Sequence, residues 1–175
     1  MPETRIIKFS RKPAHAFRKG RHLPIRNIVL HSSDGRKEGD LATLTGDDVS
    51  AHWYVTRTGE VFHLVSDEDT AFHAGKVFNP DFFSNDATIG IEQEHFDPEG
   101  KKKNEDWPDA QIEKVAQLTT FLLQQHGLKS PDDIKTHAQI AKPKGRKQDP
   151  FDYPFEKFHG HIEENQQFVW EAEEL

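Results

Sequence analysis

Hydrophobic and polar positions follow two different periods along this chain. "IRNIVLHSS" is a short apolar run rich in β-branched residues and predicts a buried strand ending at His31. "SAHWYVTRTGEVFHLVS" predicts two strands joined at Thr58-Gly59 as a hairpin. "TIGIEQEHF" predicts another strand, with Gly90, Glu92 and Glu94 on one face and Ile89, Ile91 and Gln93 on the other. From Pro108 to Gly127 the period lengthens. Ile112, Val115, Ala116, Thr119, Leu122 and Leu123 fall on one stripe of a helix that opens on proline and stops at glycine. A second helix is expected over about Glu156 to Glu174, with Phe158, Ile162 and Phe168/Val169 inward and Gly160 weakening its first turn. Residues 34–48 read as a polar, glycine-rich loop. Residues 71–87 read as an ordered loop punctuated by Asn-Pro and Ser-Asn-Asp, and "PEGKKKNEDW" as an exposed connection. Strands alternating with helices predict an α/β sheet covered by helices.

At 175 residues the chain is long enough for one domain with a real core, and its thirteen Phe and three Trp carry large buried areas. No apolar run is long enough to span a bilayer, and "MPETRIIKFSRKPAH" lacks the apolar stretch of a secretory signal. With no cysteine, disulfides, thiolate metal sites and cysteine nucleophiles are excluded. The net charge of −7 is unlike that of a nucleic-acid binder, but it is unevenly spread. Residues 1–26 hold eight Lys/Arg against Glu3 alone, leaving 15 basic and 29 acidic residues in the remainder. We therefore divide the chain into a basic N-terminal arm, residues 1–24, and a catalytic domain, residues 25–175. The arm is expected to meet an anionic partner such as the cell envelope or to pack as a solvated edge against the acidic body. It carries no aromatic platform beyond Phe9 and Phe17, so nucleic acid is not an expected partner.

Eleven histidines is a high count, and most must be ordinary. His15, His22, His126, His159 and His161 sit in polar company and read as surface residues, while His52 and His63 read as structural. His31 closes an apolar strand beside small Ser32-Ser33, where a side chain projects from a sheet edge. A histidine alone in such a place is more often a satisfied edge residue than a ligand. A serine hydrolase is disfavoured, because neighbours on a strand point to opposite faces and His31 is badly placed to activate Ser32. No His-Glu-x-x-His helix, G-x-S-x-G elbow, P-loop or G-x-G-x-x-G is present.

Six pieces in order carry a more specific signal: "IVLHSS", "VSAHWYVTRTGEVFHLV", "AFHAG", "ATIGIEQE", "WPDAQ" and "THAQI…GRKQDP". From about Ile25 to about Phe158 the chain resembles the zinc-dependent N-acetylmuramoyl-L-alanine amidases, whose relatives include amidase-type phage lysozymes and peptidoglycan recognition proteins. The resemblance implies one domain with a mixed central β-sheet flanked by α-helices. It implies His31, His137 and Asp149 as ligands of Zn2+, a donor set that leaves a fourth position open for water. It implies Glu92 as the proton-handling carboxylate, with Glu94 on the same face as its competitor, and Lys147 as the cation facing the reacting carbonyl. It places His73 near the substrate groove, shaping the pocket or contacting the muramyl peptide. Metal binding is expected to pin the 138–148 loop to the sheet. Two departures fall on that loop: "AKPKGRKQDP" is about two residues longer than in close relatives, and Phe151 stands where a glycine is usual. Phe72 stands where tryptophan is common and Ala51 where some relatives carry tyrosine.

The implied function is hydrolysis of the amide between N-acetylmuramic acid and L-alanine in peptidoglycan or muropeptide. Without a secretory signal, a lytic enzyme of phage type would reach the wall through a separate membrane lesion. A cytosolic amidase recycling anhydromuropeptides needs none either, and the basic arm favours the lytic setting. A recognition module that binds muropeptide without cutting it is the rival from another class.

Overall fold

The computed structural model describes residues 4–96 and 105–173. Most of the lysine-rich connection and the last residue of the expected second helix lie outside them. In chain order the strands are β1 (Arg5–Arg11), β2 (Phe17–Arg18), β3 (Asn27–Leu30), β4 (Trp53–Val55), β5 (Val61–His63), β6 (Thr70–Ala71), β7 (Thr88–Gln93), β8 (Ile134–Thr136) and β9 (Phe168–Glu173). The helices are α1 (Lys37–Leu44), α2 (Pro80–Phe83), α3 (Asp109–His126), α4 (His137–Ile140) and α5 (Phe155–Gly160).

Seven strands form a mixed sheet in the order β8-β3-β7-β4-β5-β1-β9, antiparallel at the β4–β5 hairpin and parallel elsewhere. The expected strands are all present, and β3 ends one residue before His31. Helix α3 runs from its N-cap Pro108 to Gly127, which takes the left-handed conformation (φ 65°) that glycine adopts without strain. Its stripe covers one face of the sheet, packing Ile112, Val115 and Leu122 onto Ile28, Leu30, Ile89 and Ile91. Alternation along β3 and β7 then turns Val29, Gly90 and Glu92 to the opposite face.

Three local expectations are corrected. Residues 34–48 hold α1, whose Leu41 and Leu44 are buried and whose first turn is capped from a distance, the Lys37 amide donating to the Glu94 carboxylate at 3.0 Å. The expected second helix stops at Gly160, and Phe168–Glu173 is an edge strand paired in parallel with β1 along its length. Phe158 and Phe168 are buried as expected, but Val169 is exposed because a strand turns successive side chains to opposite faces. His126 is half-buried beside Asp67 rather than on the open surface. Within residues 1–24, Arg5–Arg11 is a strand of the main sheet, with Ile7 and Phe9 buried. Arg18 pairs with Asp86, and Arg21 donates to the backbone carbonyls of Asp67, Asp86 and Thr88.

Candidate active site and metal centre

The site lies on the sheet face opposite α3, at the carboxyl ends of β3, β7 and β8. His31 follows β3 directly and its amide donates to Ile91 O at 2.9 Å, which fixes its backbone in register with β7. His137 opens α4 immediately after β8. Thr136 caps that turn: its hydroxyl accepts from the Gln139 amide, and the Gln139 side chain accepts from the Thr136 amide. This reciprocal cap was readable in "THAQ" as a T-x-x-Q signature, although it does not announce a metal site. Asp149 is brought back by a closed loop, its carbonyl accepting from Ala138 N at 3.0 Å and its Oδ2 from Ser32 N at 3.2 Å. The intervening loop is folded onto residues 74–77: Lys142 N and Arg146 Nη2 both donate to Lys76 O. Protein contacts therefore already pin the loop that metal binding was expected to pin.

The three residues converge. His31 Nδ1 and His137 Nδ1 are 3.1 Å apart, Asp149 Oδ2 is 3.5 Å from the first and Oδ1 is 3.2 Å from the second. One ligand atom from each lies within 4.8 Å of those of the other two. The far ring nitrogen of His137, Nε2, sits 3.0 Å from Ala74 O. A carbonyl only accepts, so Nε2 carries the proton and Nδ1 is a bare lone pair. Burial, above all, keeps His31 below the ordinary imidazole pKa. Burial alone would raise the Asp149 carboxyl, and the His137 and His31 rings beside it hold it far below the usual range instead. Two imidazoles and an ionised carboxylate, each with a donor atom turned on one point, are a donor set for a divalent cation.

Beside this set opens a pocket of about 260 Å³, lined among others by Glu92, Lys147, His73, Phe72 and Val49. The two glutamates of β7 and its exit separate cleanly. Glu94 is buried and accepts from two amides, Lys37 N at 3.0 Å and Arg57 N at 2.9 Å, so it joins α1 to the hairpin. Glu92 faces the pocket with its Oε1 covered and without a hydrogen-bond partner among the described residues. Burial, reinforced by the charges of Asp149 and Asp40, pushes its pKa well above the usual carboxylate range, while Lys147 pulls it down. A raised carboxyl that opens on a pocket is suited to taking up and giving back a proton. Lys147 is exposed at the pocket wall. His73 lines the same pocket, with its Nδ1 2.9 Å from His31 Nε2.

Around the site lie Asp40, which sequence patterns did not single out, and His52, which they read as structural. Asp40 is buried and accepts from Ser33 Oγ and Tyr54 OH, both at 2.5 Å, tying α1 to the strand carrying Tyr54. His52 is fully buried, accepts from Gly90 N at 3.1 Å and meets Asp69 O at 2.9 Å through its other nitrogen. Burial and then Arg21 lower its pKa to about 4. Such roles need tertiary partners and leave no local mark.

Comparison with known proteins agrees with this geometry. The family model described as N-acetylmuramoyl-L-alanine amidase matches residues 21–152. The chain belongs to this amidase family. It is 30% identical over 137 residues to N-acetylmuramoyl-L-alanine amidase AmiD of Escherichia coli, covering 72% of this chain and 49% of that protein. To 1,6-anhydro-N-acetylmuramyl-L-alanine amidase AmpD of Haemophilus influenzae it is 34% identical over 106 residues, 60% of this chain and 53% of the other. The chain thus spans about half the length of the curated relatives it matches. The crystal structure of AmpDh3 from Pseudomonas aeruginosa in complex with anhydromuramic pentapeptide superimposes with a TM-score of 0.69 at 28% identity, covering 78% of this chain and 59% of that one. The amidase-family likeness agrees with the single-domain, mixed-sheet architecture described above.

Proposed function

We propose that this chain hydrolyses the amide joining N-acetylmuramic acid to L-alanine, with Zn2+ held by His31, His137 and Asp149. The observation that carries the reading is the convergence of these three side chains beside a partnerless Glu92 oxygen in one pocket. When bound, zinc supplies Lewis acidity, making water a competent nucleophile near neutral pH and polarising a carbonyl. Glu92 takes the proton from the attacking water and delivers it to the leaving amine. Lys147 faces the oxyanion as the carbonyl carbon becomes tetrahedral; losing such a donor elsewhere costs about 3–4 kcal/mol. Glu94, tied to two amides, has no free oxygen pair for this work. A complete ligand set and a poised base favour an enzyme over a recognition module that binds without cutting.

The test is zinc content by elemental analysis together with mass spectrometry of digestion products. Free stem peptides and intact sugar support the reading. A protein that binds muropeptide and releases nothing refutes it.

The substrate's physical form divides two settings. The lytic reading draws on the basic arm as a wall anchor and places the enzyme at the wall after release. Yet Arg18 and Arg21 are tied to partners inside the fold, and the AmpDh3 structure was solved with an anhydromuramic peptide. Those facts favour soluble anhydromuropeptide. Turnover of sacculi against soluble anhydromuropeptide, in the full chain and after charge reversal at Lys8, Lys12 and Lys19, separates the two. Loss confined to sacculi supports the anchor, and equal turnover in all variants removes it.

A further inference from the structure

A single carbonyl sets the orientation of one proposed ligand through three hydrogen bonds. Thr88 Oγ1 donates to Ser84 O at 2.8 Å, because a carbonyl can only accept. With its proton so engaged, Thr88 Oγ1 meets His73 Nε2 at 3.1 Å as an acceptor, and Nε2 bears the hydrogen. The other nitrogen of a neutral His73, Nδ1, is then a lone pair 2.9 Å from His31 Nε2. His31 must donate there, which leaves its Nδ1 bare and aimed at His137 and Asp149. The rings of His31 and His73 meet nearly at right angles, 83° apart with centroids 5.0 Å apart, an arrangement compatible with an N–H···N contact in the plane of each ring.

The fold makes room for this ring at some cost to its strand. A side-chain carbon on Gly90 would lie 2.6 Å from His73 Cγ and Nδ1, closer than any real contact. The backbone of the segment is held too: the amides of His73 and Ala74 both donate to Asn85 Oδ1, at 3.0 and 2.8 Å. The next residue performs the same task for the other histidine, since Ala74 O receives His137 Nε2 at 3.0 Å.

We propose that the dipeptide His73-Ala74 is the template that orients both histidine ligands, with His73 a positioning residue for His31 rather than a substrate contact. This rests on the metalloenzyme reading above. It predicts that His73 acts on metal affinity first and on turnover through it. Outer partners of this kind govern metal affinity by about 10–100-fold.

The test is zinc affinity of the full-length chain by chelator competition, alongside imidazole nitrogen NMR of the zinc-loaded protein. His73→Leu should weaken zinc about 10–100-fold and broaden or abolish the His31 Nε2–H resonance. His73→Asn keeps an acceptor near the Nδ1 position and should recover most of the affinity. Thr88→Val, nearly the same in shape, should weaken zinc several-fold by freeing the His73 tautomer, with thermal melts confirming that the variant stays folded at the assay temperature. Zinc affinity left unchanged by both His73→Leu and Thr88→Val overturns the proposal, the more so if KM alone rises, which would make His73 a substrate contact. A wild-type chain that takes up no zinc overturns the metalloenzyme reading itself, and this one with it.

Discussion

Two clusters in this protein share one composition, two histidines and an aspartate, and differ in every other respect. His31, His137 and Asp149 turn one donor atom each toward a common point, within 4.8 Å of one another. His63 and His126 flank Asp67 instead, each against a different oxygen, at 3.4 and 3.5 Å. Asp67 Oδ1 also accepts from the Trp53 indole at 2.9 Å, and the His63 ring is stacked on that indole at 3.7 Å. Burial would raise the Asp67 carboxyl, but the His126 and His63 rings against it hold it far below the usual range. That cluster joins the end of α3 to the hairpin and to the 66–70 turn. Residue type alone therefore does not make a metal centre. What sets the proposed centre apart is the convergence of one donor atom from each residue on a common point.

Substitution draws the contrast most sharply at the proposed ligands. Asp149→Ala or His137→Ala is expected to abolish both zinc uptake and turnover, read by elemental analysis and product release. Asp67→Asn should leave zinc content untouched; a loss of metal there would erase the distinction. Next in size, Glu92→Gln should retain zinc and lower turnover by about 10²–10⁴-fold, measured on a soluble muropeptide. Full activity in that variant would move the proton-handling role elsewhere.

Stability effects are smaller. His52 titrates near 4 in the fold against about 6.5 unfolded, so the unfolded chain binds the extra proton first. Its contribution is complete above pH 6.5 and is lost as pH falls towards 4, by up to about 3 kcal/mol. Denaturant midpoints between pH 7.5 and 4.5 should show the decline, and His52→Gln should flatten it. Asp67→Asn is expected to cost about 1–3 kcal/mol by weakening a buried acceptor. Thr136→Ala removes the cap before His137 and should cost about 1 kcal/mol, with a slight loss of zinc affinity.

Much of the proposed site was legible because alternation is a local rule. Once "TIGIEQ" is a strand with Ile89 and Ile91 inward, Glu92 must face away from α3, and once "NIVL" is buried, His31 must stand at its end. The helix under the sheet was equally plain, since proline and glycine mark its ends. The misses share a cause. Helix α1 contains Gly39 and a buried Asp40, poor local signals, and its first turn is held by Glu94 from a strand exit far along the chain. Strand β9 was hidden by its glutamates, which favour helix; it is a strand because β1, at the other end of the chain, offers an edge. The choice between Glu92 and Glu94 could not be made from their shared face. It turned on two amides that only the folded chain brings near.

Gly90 carries a further lesson for anyone who would engineer this protein. A glycine in the middle of a strand weakens it by roughly 0.5–1 kcal/mol relative to alanine, so the position invites the usual stabilising replacement. With the His73 ring resting on its bare α-carbon, an added methyl would press on the imidazole and push it out of line, an overpacking cost of about 1–3 kcal/mol that outweighs the gain in the strand. A replacement chosen from strand propensity alone would therefore loosen the fold and disturb the proposed metal site at one stroke.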